Sequence, residues 1–198
     1  MGTRNFFSSS TQDCANKFAV STHMYGFPFT LTHPDVARTE CLIVVGANPV
    51  VSKWSFLQVP NPAKQLQAIE ARGGRVFIVD PRRTETAKSA GEYVPIRPNT
   101  DVFFYLAFLR ELLATAEIER DRVERTMTGL DEVARLAEPW TPERQAEVTR
   151  IPPETLRRMV AAYREADGAA LYCSTGVNMG AHGTLAFWIH RQTSRGEL

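Results

Sequence analysis

Cysteine is scarce: the 198 residues hold three, Cys14, Cys41 and Cys173, and no pair has CxxC spacing. That pattern argues against a disulfide framework, a structural zinc site and a ferredoxin-type cluster within the chain, and points to a reducing, cytoplasmic setting. Net charge is nearly absent as well, at 23 Lys+Arg against 22 Asp+Glu. Nothing in that balance calls for nucleic acid or an anionic membrane as partner. No apolar run approaches the roughly 20 residues of a membrane span. The opening MGTRNFFSSSTQDC lacks the apolar core of a signal peptide, and Phe6 breaks the myristoylation pattern. Two motifs are missing too. Without GxGxxG the usual nicotinamide-dinucleotide fingerprint is gone, and without GxSxG there is no support for a serine hydrolase. His23, His33, His182 and His190 have no metal-ligand spacing. What remains is ordinary globular composition, 43% hydrophobic and 23% charged.

Four short runs read as strands: CLIVVG (41–46), RVFIVD (75–80), YVPI (93–96) and AALYCS (169–174). The first is continuously apolar and β-branched, the signature of a strand buried on both faces, while Pro95 marks the third as an edge strand. Helices are expected at about 12–20, at 62–72 behind an Asn61 cap and Pro62, at 101–114, at 152–166 and from Thr184. The 101–114 helix is apolar almost all round and therefore buried. Strands alternating with helices give an α/β fold, a doubly wound and mostly parallel Rossmann-like sheet. Residues 1–40 form a loop-rich opening segment. Residues 41–198 form the Rossmann-like domain, with a helical insertion at 119–166. A stretch through Trp54 and Phe56 joins the first strand to its helix.

In such sheets ligands bind beyond the carboxyl ends of the strands, where four motifs fall. Gly46-Ala47-Asn48-Pro49 is either a plain turn or a ligand loop. Asp80-Pro81-Arg82-Arg83-Thr84 offers a carboxylate suited to ribose hydroxyls and two arginines suited to phosphate, or else a solvated turn. In Arg97-Pro98-Asn99-Thr100-Asp101 the last three residues can cap the buried helix, and Asp101 can also accept both edge donors of a guanine. Ser174-Thr175-Gly176-Val177-Asn178-Met179-Gly180-Ala181-His182-Gly183 suits close approach of backbone to a ligand, or is a connecting loop.

In this order, with DPRRTETA and IPxETLRR between them, these motifs resemble the molybdopterin oxidoreductases of the dimethyl-sulfoxide reductase superfamily, which includes formate dehydrogenases and nitrate reductases. The likeness runs from about Gly2 to Arg191. It implies a cofactor, molybdenum-bis(molybdopterin guanine dinucleotide), contacted by Gly46, Asn48 and Pro49, by Asp80 and Arg82 near the guanosine, by Pro98, Thr100 and Asp101 at the guanine, and by Gly176, Asn178, Gly180 and His182 from the other side. Asn99 stands where the family typically has Gly; Asn tolerates the left-handed conformation such a turn requires. Candidate metal ligands are Cys14, Ser21 and Asp13. Family members are several times longer, so the chain is expected to be an excised part of a catalytic subunit. Any [4Fe-4S] cluster would lie in a preceding portion. The remaining subunit and an electron-transfer subunit are its expected partners, and the part alone is expected to turn over nothing. The competing readings are a stand-alone guanine-nucleotide module and a non-catalytic interaction domain of the same ancestry.

Overall fold

Cys41–Val45 form β1, and all five residues are buried. In the computed structural model, which describes residues 2–5, 7–30, 32–53, 57–115, 125 and 128–193, β1 lies inside a four-stranded sheet. Its companions are β2 (Arg75–Asp80), β3 (Glu92–Pro95) and β4 (Ala169–Cys173). The order is β3-β2-β1-β4 and every pairing is parallel, with Val45 in register with Val79 on one side and Cys173 on the other. The α/β doubly wound expectation is met, and Pro95 sits on an edge strand, where its missing N–H costs no ladder bond.

The pleat sends alternate β1 residues to opposite faces. Leu42 and Val44 join Val76, Ile78, Leu66, Ile69 and Ala87 in one core. Cys41, Ile43 and Val45 join Phe77, Val79, Leu171, Phe104 and Phe108 in the other. The helices that supply these faces, in chain order, are α1 (Ser10–Asp13), α2 (Ala15–Tyr25), α3 (Pro49–Ser52), α4 (Pro62–Ala71), α5 (Glu85–Ser89), α6 (Asp101–Thr115), α7 (Leu130–Ala137), α8 (Pro142–Thr149), α9 (Pro153–Glu165), α10 (Thr175–Asn178) and α11 (Gly183–Thr193). Asn61 caps α4 by accepting from the Lys64 amide, with Pro62 as its first residue. Helix α6 buries ten of its 15 residues, as its all-round apolar pattern requires.

Three elements differ from expectation. The helix expected at 12–20 breaks at Cys14 (φ −140°) into α1 and a longer α2 ending at Gly26. Helix α5 follows the Asp80 turn, and α10 lies inside the glycine-rich loop. Within the expected helical insertion 119–166, α7, α8 and α9 are seen; residues 116–124, 126 and 127, like Trp54 and Phe56, lie outside the described residues.

Candidate functional site

Strand order reverses between β1 and β4, so a ligand crevice is expected beyond their carboxyl ends. Backbone fills that place. The Gly176 amide donates to the Gly46 carbonyl at 3.0 Å. A Cβ on Gly46 would stand 2.8 Å from the Val177 nitrogen, and one on Gly176 would stand 2.7 Å from the Gly46 oxygen. Gly46 also holds φ +57°. Contact between the two chain segments requires both glycines.

Asn48 is fully engaged inside the fold. Its Nδ2 donates to Glu85 Oε2 at 2.7 Å, and its Oδ1 accepts from the Thr86 amide at 3.2 Å and hydroxyl at 2.8 Å. It thus anchors the start of α5, whose cap is Thr84 accepting from Ala87 N. Pro49, buried, begins α3. Arg82 lies in solvent and pairs with Glu85 at 3.1 Å. Arg82 and Asn48 together hold the Glu85 carboxyl down to about 2.

Asp80 and Asp101 lie near enough for the charge of the first to act on the second. Asp80, half-buried at the end of β2, accepts from the Arg82 amide at 2.9 Å. Burial pushes its carboxyl up, against that bond and the Arg82 charge. Asp101 opens α6 and is 8% exposed. Among the described residues no other residue donates a hydrogen bond to its carboxylate. Burial, followed by the neighbouring Asp80 charge, raises it to about 6. Burial foremost raises Tyr105 and Cys173, and the ionised Asp101 adds to both shifts. The capping expectation for Asp101 does not hold among the described residues, and Thr100 turns its hydroxyl back to the Arg97 carbonyl at 2.6 Å. Pro98 is exposed beside them.

The 174–183 segment is strapped down along its length. Thr175 donates to the Asp13 carboxylate at 2.6 Å, and Asn178 Nδ2 to the Asp13 carbonyl at 3.1 Å. Asn16 donates to the Asn178 carbonyl at 2.6 Å. Asn178 is 3% exposed, and its Oδ1 is buried with no hydrogen-bond partner among the described residues. Beyond Gly180, the exposed His182 ring stands 6.2 Å from Phe103. The three alternative candidates for a metal ligand have separate surroundings. Ser21 donates to the Thr30 carbonyl, and Asp13 is held by Thr175. Burial and Asp13 push the Cys14 thiol up, with Lys17 opposing. Among the described residues no three His, Cys, Asp or Glu side chains form a metal-sized group.

Sequence reasoning missed Asp13, Asn16, Glu85 and Thr86 as the groups that fix these loops. Glu85 and Thr86 sit in the TETA string directly after the Asp80 turn, which was their only signal. Asp13 and Asn16 act on residues 162 positions away and had none.

No family model matches the chain. It is similar to the F420-dependent formate dehydrogenase subunit alpha of Methanocaldococcus jannaschii, 24% identical over 75% of this chain and 21% of that protein. The assimilatory nitrate reductase of Haloferax mediterranei is 29% identical over 67% of this chain and 18% of its own length. The solved acetylene hydratase from Pelobacter acetylenicus has the same fold, at TM-score 0.80 and 20% identity, over 100% of this chain and 26% of that one. These relatives are molybdopterin oxidoreductases of the dimethyl-sulfoxide reductase superfamily, and the chain is homologous to part of them. It spans about a fifth of the length of the curated relatives it matches. No described helix is long and apolar enough to cross a membrane.

Proposed function

We propose that this chain is the cofactor-binding part of a molybdenum oxidoreductase subunit, and that it holds the cofactor as molybdopterin guanine dinucleotide. The observation that supports the reading is the buried Asp101 carboxylate, which accepts from its own amide but from no other described residue and feels the Asp80 charge. Burying such a group is costly unless something donates to it. Guanine presents two adjacent N–H donors on one edge, which match the two oxygens of a carboxylate. Adenine offers an acceptor there and is repelled. Asp80 is placed to accept from ribose hydroxyls, as strand-end carboxylates do in nucleotide folds. Asn178 Oδ1 is a further buried acceptor for a ligand N–H. These leftover acceptors fit the donor-rich edge of the group. When bound, the molybdenum centre supplies two-electron redox chemistry; the residues here bind and orient its nucleotide arm.

The rest of the subunit and an electron-transfer subunit are the proposed partners, and the cytoplasm the proposed location. A second reading, a domain whose loops serve only the fold, is favoured by the internal engagement of Asn48, Arg82 and Gly46. One analysis separates them. Chain purified from cells that make the cofactor should release GMP on acid hydrolysis and carry molybdenum, and Asp101→Asn should lower both. A parent chain with neither, or an unchanged content in the variant, contradicts the proposal.

A further inference from the structure

Asn99 is one of few non-glycine residues with positive φ, at +70°. Its Oδ1 accepts from the Ala181 amide at 2.8 Å, across 82 positions of sequence. The same oxygen occupies the place beside Gly180, where a Cβ would stand 2.8 Å from it. Gly180 itself does not have a positive φ, so its backbone accepts any L residue. Asn99 lies two positions before Asp101, in the loop that presents it. The 174–183 strap is therefore fastened at one end to Gly46 through Gly176 and at the other to the Asp101 loop through Asn99.

We propose that Asn99 is a positioning residue for the nucleotide cleft: its side chain latches the strap to the loop carrying Asp101 and sets how long a guanine nucleotide stays, while base recognition rests with Asp101. This rests on the cofactor reading above. An acceptor at this position in a left-handed turn needs a side chain that tolerates that conformation, and Asn does. Glycine would keep the turn and lose the latch.

The test uses the 198-residue chain with GMP and AMP as probes, reading the nucleotide dissociation rate, the GMP-over-AMP preference and amide exchange at Ala181. Asn99→Gly should speed Ala181 exchange and GMP dissociation about fivefold, the worth of one neutral hydrogen bond, with the preference unchanged. Gly180→Ala should do the same by driving Oδ1 away. Combining the two should be no worse than either alone, because the clash needs the Asn99 side chain. Parent-like dissociation in Asn99→Gly despite faster Ala181 exchange overturns the latch and leaves the cofactor reading standing. Unchanged Ala181 exchange overturns it too. If Asp101→Asn keeps the parent's preference, the cofactor reading falls while the latch is still judged by the dissociation rates. Failure of the parent to bind GMP overturns both.

Discussion

In the proposed role, Asp101 joins stability and binding in one side chain. Its folded carboxyl titrates near 6, above the ordinary 3.8. The native state therefore holds its proton more tightly than the unfolded chain, so this group's contribution to stability falls as pH rises from about 4 to 6 and is flat above. Asp101→Asn removes that cost. Above pH 7 it should stabilise the fold by roughly 3 kcal/mol, read as a raised Tm. Guanine binding runs the other way, because it needs the ionised form; GMP affinity should fall as pH drops through 6 and should lose this dependence in the variant. A substitution that stabilises the chain while weakening GMP binding marks a functional residue, since strained groups are retained where function requires them. A lower Tm for Asp101→Asn contradicts the burial argument. The sequence pointed to Asp101 but also offered it, with Thr100 and Asn99, as a cap of α6. The fold adds the nearby Asp80 charge and, among the described residues, the lack of a donor from another residue to the Asp101 carboxylate.

Among the elements, the strands were legible because each is a β-branched or apolar run closed by a turn residue, and α6 because its apolar residues go all round. Helix α5 was not, since five residues carry no period and its start is held by Asn48 from another loop. Asn48→Ala removes three hydrogen bonds and leaves Thr86 short of a partner. A loss of about 1–3 kcal/mol is expected in denaturant unfolding. The glycine-rich loop was recognisable by composition, yet its composition does not tell a glycine needed for a ligand from one needed for a neighbouring chain segment. Gly46 and Gly176 are of the second kind. Gly176→Ala should destabilise by more than about 1 kcal/mol, because its Cβ meets backbone that cannot move aside. Wild-type stability in that variant would mean the two loops do not touch.

For the whole molecule, one sheet is shared by two cores, with Phe77 facing one and its neighbour Ile78 the other. Phe77→Ala and Ile78→Ala should each cost about 2–5 kcal/mol and shift a single cooperative transition. Two separate transitions would mean the faces fold independently. The class of fold was plain from the order of runs and turns. The fastening of the opening segment by Asp13 and Asn16 was hidden, because contacts 162 residues apart leave no local trace. The account as a whole stands on guanine recognition by a buried carboxylate. Calorimetric titration of the chain with GMP and AMP at pH 8, repeated on Asp101→Asn, tests it most directly. The account predicts a preference for GMP of at least about tenfold, set by charge-assisted bonds to Asp101, and its loss in the variant. Equal affinity for the two nucleotides, or a preference that survives the substitution, contradicts it.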